Sequence, residues 1–136
     1  MTVDLRTPPG MLQPVPYHHV AIGVGSRQVH VAGQVGRAAD GSPVAVGDLA
    51  GQVAQALRHT ARGLAGAGAG FADVVRLRFL VVGWRPEKYP DLVAGIEAVV
   101  EELGIPKPWP PATLVGVESL FEPDVLVEIE ATAVLD

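Results

Sequence analysis

The stretch Val125-Leu126-Val127-Glu128-Ile129-Glu130-Ala131-Thr132-Ala133-Val134 alternates without a break, with the period of a strand rather than a helix. Successive side chains of a strand face opposite ways. Val125, Val127, Ile129, Ala131 and Ala133 therefore form one apolar face, and Leu126, Glu128, Glu130, Thr132 and Val134 the other. The first face reads as core. The second sets two carboxylates about 7 Å apart between apolar neighbours. Carboxylates on such a face are paired, solvated at an edge, or in use.

The rest of the chain supplies partners for this strand. Residues 1–16 carry Pro8, Pro9, Pro14 and Pro16 and read as an irregular lead-in. Strands are expected from Tyr17 to Val24 and from Gln28 to Val35, joined by the turn Gly23-Val24-Gly25-Ser26. Asp48 is placed to cap a helix whose stripe is Leu49, Val53, Ala56, Leu57, Thr60 and Leu64. Asp73 to Val82 reads as a strand with Val75, Leu77, Phe79 and Val81 on one face and Arg76 and Arg78 on the other. Pro86 opens a second helix with the stripe Leu92, Val93, Ile96, Val99, Val100 and Leu103, stopped by Gly104. A proline-rich loop with Trp109 leads to a strand from Thr113 to Val117.

These elements predict an α+β fold in a single domain over residues 1–136, a single sheet with both helices on one face. The other face would carry Leu80, Val82, Leu126 and Val134, which is too apolar to stay wet. Nearly half of the residues are hydrophobic, and both observations point to a homo-oligomer.

The net charge of −5, with no basic cluster, argues against nucleic acid as the main partner. No apolar run reaches membrane-spanning length and no signal-peptide pattern is present, so the expected location is cytoplasmic, with no membrane partner. Without cysteine there is no thiolate nucleophile. His18 and His19 face opposite ways on a strand, and His30 and His59 lack partners at ligand spacing, so neither a metal nor another cofactor is expected. Gly66-Ala67-Gly68-Ala69-Gly70 has the composition of a phosphate loop. It follows a helix and precedes a strand, the reverse of the phosphate-binding order, and reads as a helix end and turn.

Glu130 reads as a partner of Arg76 or Arg78, since two arginines at i, i+2 match two acids at the same spacing. For Glu128 a structural pairing and a role in moving a proton both stand. Tyr17 reads as a core or rim packer, and Trp84 and Trp109 as interface anchors or pocket walls.

Taken together these residues resemble the Rid/YjgF family of imine/enamine deaminases, over nearly the whole chain after the first dozen residues. Pro16-Tyr17 is similar to an early Pro-Tyr of the family and Val31-Ala32-Gly33-Gln34-Val35 to its Ser-Gly-Gln strand. Gln55-Ala56-Leu57 and Ala67-Gly68-Ala69-Gly70-Phe71-Ala72-Asp73-Val74-Val75 resemble its first helix and following turn. Val127-Glu128-Ile129-Glu130-Ala131-Thr132-Ala133-Val134 resembles its closing signature. The resemblance implies a chorismate-mutase-like fold, a homotrimer with clefts between subunits, a small-molecule metabolite as ligand, and cofactor-free hydrolysis of imines or enamines. It further implies that Glu128 orients the water and Tyr17 lines the cleft, with Ala32, Gly33, Gln34, Val93, Ala112, Thr113 and Leu114 around the substrate.

One departure limits the analogy. The family's Pro-Ala-Arg-Ser carries an arginine that clamps a substrate carboxylate. Here the segment reads Pro110-Pro111-Ala112-Thr113-Leu114-Val115, and Ala112 takes the arginine's place when aligned on Val117 and Leu120. A partly buried guanidinium–carboxylate pair is worth about 2–5 kcal/mol. The expected protein is therefore an arginine-less member, not a standard 2-imino acid deaminase. Arg37, Arg85 and Lys107 are the candidate substitutes, and a non-catalytic trimer that senses a ligand or serves as a scaffold is the alternative.

Overall fold

The computed structural model describes residues 2–136. Its strands are β1 (Val3–Arg6), β2 (Val20–Gly23), β3 (Arg27–Val35), β4 (Val74–Val82), β5 (Ala112–Val117) and β6 (Val127–Leu135). Its helices are α1 (Leu49–Gly66), α2 (Tyr89–Glu97) and α3 (Val100–Leu103). The alternating strand takes a central place in a four-stranded sheet of order β3-β6-β4-β5. β6 pairs antiparallel with β3 and β4, while β4 and β5 run parallel across the helical crossover. The sheet is thus mixed.

The apolar face of β6 is core throughout, with Val127, Ile129, Ala131 and Ala133 buried. α1 packs on this face. Gly63 lies so close to Val31 that a Cβ would come within 2.8 Å of its methyl. α2 stacks on α1 at Gly95, where a Cβ would meet the Ala50 carbonyl oxygen at 2.5 Å. Asp48 caps α1 by accepting from the Gly51 N–H at 3.0 Å. The Gly-Ala run ends the helix, with Gly68 at φ +80° and the Ala69 N–H donating to the Leu64 carbonyl.

Several expectations need correction. The lead-in is not wholly irregular. Val3 is buried and Leu5 half-buried in β1, which pairs antiparallel with β2 in a second, two-stranded sheet. That small sheet covers one end of the face away from the helices, where Gly23 approaches Val134 and Val75. The strand expected from Tyr17 begins only at Val20. In β4 the strict alternation is interrupted by a register shift between Val74 and Arg76. One extra residue there turns Val74 into the core, rather than Val75. The second helix is also broken. Pro86–Lys88 is a 3₁₀ turn, and α2 and α3 are separated at Ala98 and the buried, β-branched Val99 before Gly104, at φ +67°, ends the segment.

Gln52 is buried on α1 although it is polar. Its amide N–H groups donate to the carbonyls of Asp124 (2.9 Å) and Ala45 (3.3 Å), and its Oε1 accepts from the Leu126 N–H at 2.9 Å. It thereby fixes the approach to β6, and with it the height of Glu128 on the sheet.

Candidate functional site

The register sorts the candidate residues onto two sides of the sheet. Ala112 pairs with the buried Leu77 and Leu114 with the buried Phe79, so both face the helices. Glu128 pairs with Leu80 on β4 and Val35 on β3, on the opposite face. The sheet therefore separates Glu128 from Ala112 within one chain.

On the helix side, at the β5 edge, an apolar cavity of about 180 Å³ is walled by Pro16, Tyr17, Phe79, Tyr89, Leu92, Trp109, Ala112, Thr113 and Leu114. Tyr17 reaches it through a short parallel bridge. The Trp109 N–H donates to the Pro16 carbonyl at 2.8 Å, and the His18 N–H donates to the Trp109 carbonyl at 2.7 Å. Trp109 is buried, and the Tyr17 ring meets His19 edge-on with centroids 5.3 Å apart. Thr113 turns its hydroxyl to the outer face, where it accepts from Arg76 at 2.7 Å. None of the lining residues is cationic. Val93, expected at the cleft, packs half-buried against the core and lines no described cavity.

Glu128 sits beside the β3 edge. β3 shifts register between Val31 and Gln34, leaving Ala32 and Gly33 as a bulge. A Cβ on Gly33 would overlap the Glu128 carboxylate, so the absence of a side chain there gives the acid its place. Among the described residues the Glu128 carboxylate has neither a hydrogen-bond nor an ion-pair partner. Glu130 does, pairing with Arg78 at 3.3 Å. Of the two pairings open to Glu130, the structure selects Arg78, and Arg76 goes to Thr113 instead.

Next to Gly33 a second cleft of about 320 Å³ is lined by Gly33, Gln34, Val35, Arg37, Ala38, Ala39, His59 and Arg62. The Gln34 side chain donates to the Ala32 carbonyl at 2.9 Å. Arg37 is ion-paired with Asp124 and donates to the Gly41 carbonyl at 2.8 Å. Lys107 is paired with Glu97 at 2.9 Å, and Arg85 is exposed and lines no described cavity. None of the three candidate substitutes for the arginine thus offers a free cation to the aromatic cavity. His59 and Arg62 were not foreseen at a site. Their i, i+3 spacing on a helix was the available signal.

A wider groove of about 410 Å³ runs between the chain ends, past Thr2, Arg27, Ala72, Asp73, Leu135 and Asp136. Its charged groups are already used: Arg27 donates to the Asp136 carbonyl at 2.7 Å, and Asp73 accepts from the Gly70 N–H at 2.9 Å. Among the described residues no three His, Cys, Asp or Glu side chains gather as metal ligands would, and no helix is long and apolar enough to cross a membrane.

A family model described as endoribonuclease L-PSP matches residues 11–135. The chain is 36% identical to YyfB from Yersinia pestis, a conserved Rid-family protein of unknown function, over 99% of this chain and all of that one, with a TM-score of 0.88. It is 30% identical to Rv2704 from Mycobacterium tuberculosis, of the YjgF/YER057c/UK114 family, over 98% of this chain and 99% of that one, with a TM-score of 0.61. Escherichia coli TdcF, solved with bound serine, shares the fold at 22% identity and a TM-score of 0.69, over 100% and 99% of the two chains. No curated protein sequence matches the chain.

Proposed function

Because the chain belongs to the endoribonuclease L-PSP family, which takes in the Rid and YjgF proteins, we propose that it binds a small metabolite in clefts between the subunits of a homotrimer and hydrolyses its imine or enamine group. The observation that carries this reading is the separation of Glu128 and Gly33 from the aromatic cavity by the thickness of the sheet. The acid and the apolar walls meet only if a second copy brings its β5 edge to the β3 edge of the first. The half-apolar outer face, with Leu80, Val82 and Leu126, gives such copies a surface to share.

The chemistry needs no cofactor. Glu128 accepts a proton from a water as its oxygen adds to the C=N carbon. Glu128 returns that proton to the nitrogen to complete a carbinolamine, then moves the carbinolamine O–H proton to the same nitrogen as the C–N bond breaks, and ammonia and a carbonyl compound depart. Tyr17, Tyr89 and Trp109 would hold the apolar part of the ligand. Ala112 presents a methyl group where an arginine clamp would stand, so the chain is not a standard 2-imino acid deaminase. RNA cleavage, named in the family's description, is disfavoured by a net charge of −5 that repels a polyanion. A cytoplasmic location goes with this reading.

Subunit complementation tests it. Glu128→Gln and Ala112→Trp damage opposite sides of the composite cleft. Each variant alone should lose ammonia release from an imine generated in situ, and mixed trimers should recover part of it. A protein that sediments as a monomer, or mixtures that recover nothing, would sink the reading. The cation-free aromatic cavity favours one alternative, a trimer that only senses a ligand. In that case Glu128→Gln leaves ligand binding intact and there is no turnover to lose.

A further inference from the structure

We propose that the cleft beside Gly33 is an anion subsite in which Arg62 receives a carboxylate of the ligand. The proposal rests on the ligand-binding reading above and names the cation, other than the missing arginine, that an acidic ligand would meet.

Charge accounting within the cleft singles out Arg62. Arg37 is neutralised by Asp124 and further tied to the Gly41 carbonyl. His59 sets its Nε2 2.5 Å from the Arg37 carbonyl oxygen. Gln55 Nε2 lies 3.1 Å from the same ring nitrogen, which leaves Nδ1 to face Arg62. Arg62 Nη1 donates to that Nδ1 at 3.2 Å. His59 acts here as a positioning residue. It is held by the Arg37 backbone and in turn holds the guanidinium at the cleft.

Among the described residues Arg62 has no carboxylate partner, and one nitrogen bonded to His59 leaves the rest of its planar fork of donors free. Among the lining residues Arg62 is thus the one cation with no carboxylate partner, on an exposed side chain. Its volume of about 320 Å³ suits a small acid. Its floor includes the bulged Gly33 and its neighbour Gln34, and Gly33 lies against Glu128. Gly33 thus links the cleft to Glu128, which stands on the outer face of the sheet, whereas an arginine at residue 112 would act from the aromatic side.

The test uses the full chain in its native assembly, with 4-oxopentanoate as probe and 2-pentanone as its neutral counterpart, followed by ¹⁵N NMR including arginine side chains. The acid should shift the amides of Gly33 and Gln34 and the Arg62 Nε–H saturably, and the ketone should not. Arg62→Gln should weaken binding by about tenfold or more, with Arg62→Lys in between, since a lysine keeps the charge but not the fork. Equal affinity in Arg62→Gln, or shifts confined to other residues, would overturn the proposal. Failure here is separable from failure of the functional reading. If acid binding at Arg62 persists while the parent protein releases no ammonia from the imine, hydrolysis falls and the subsite stands. If turnover depends on Glu128 but Arg62→Gln leaves KM unchanged, the subsite falls and hydrolysis stands.

Discussion

The Glu128 carboxylate occupies the space that a Cβ on Gly33 would need. The two residues belong to neighbouring strands, and the β3 bulge is what brings the glycine beneath the acid. Gly33→Ala should therefore act on function more than on stability. The atoms displaced are the carboxylate and Cγ of a flexible side chain, which can change rotamer at a cost of about 1 kcal/mol. The acid would then lose its position, and ammonia release should fall at least tenfold. Thermal melts beside turnover measurements separate the two effects.

Gly95→Ala is the contrasting case. Its Cβ would meet the Ala50 carbonyl oxygen at 2.5 Å and the Val53 Cβ at 2.6 Å, neither of which can swing away. The helices must part, at about 1–3 kcal/mol. The melting temperature should drop clearly, with no specific change in ligand affinity for the protein that remains folded.

Gln52→Ala should be among the more damaging single changes in α1. It strips partners from the Leu126 N–H and the Asp124 carbonyl, groups at the approach to β6. Buried groups left unpaired cost about 1–3 kcal/mol each. Urea unfolding should show a loss of about 3 kcal/mol. An unchanged midpoint would mean that water replaces the amide.

Patterns with a fixed period were legible before any coordinates. The core face of β6, the stripe and cap of α1, the α+β class and the helix-end reading of the Gly-Ala run all rest on local alternation or spacing. Bulges break that logic, because an inserted residue leaves the sequence looking regular. Val75 keeps its place in the alternating run of β4 even though Val74 is the residue that turns inward. β1 was masked by the prolines that follow it, although Val3 and Leu5 alternate with Asp4 and Arg6. At the site, Tyr17 and Trp109 meet through a long-range bridge that no spacing announces. Likewise, the opposite facing of Ala112 and Glu128 emerges only from the pairing of both strands with β4.

The loop beside the second cleft has its own acid. Asp40 accepts from the Ser42 hydroxyl at 2.6 Å and from its N–H at 2.9 Å. These bonds, the hydroxyl's first, hold its carboxyl below the usual value of 3.8. The folded value being the lower, the loop's gain is fully present above the unfolded value and is lost as pH falls through the folded one. NMR titration should find Asp40 below 3.8, and Ser42→Ala should move it back up. A titration at the ordinary value in the unmodified chain would contradict these bonds.

The two acids of β6 should behave as differently as their surroundings. Glu130 and Arg78 are 3.3 Å apart with side chains 37% and 41% exposed. Solvent screens such a pair, so Glu130→Gln should cost about 0.5 kcal/mol or less and leave turnover and ligand affinity unchanged. Glu128 has no cation to lose, and Glu128→Gln should leave the melting temperature within about 0.5 kcal/mol of the parent, since nothing charged is unpaired by the change. Its effect should appear in turnover instead, where a glutamine cannot accept the proton of the attacking water. Matched melts and rate measurements on the two variants give the comparison. A rate loss for Glu130→Gln equal to that for Glu128→Gln would mean that the pair with Arg78 belongs to the reaction rather than to the sheet.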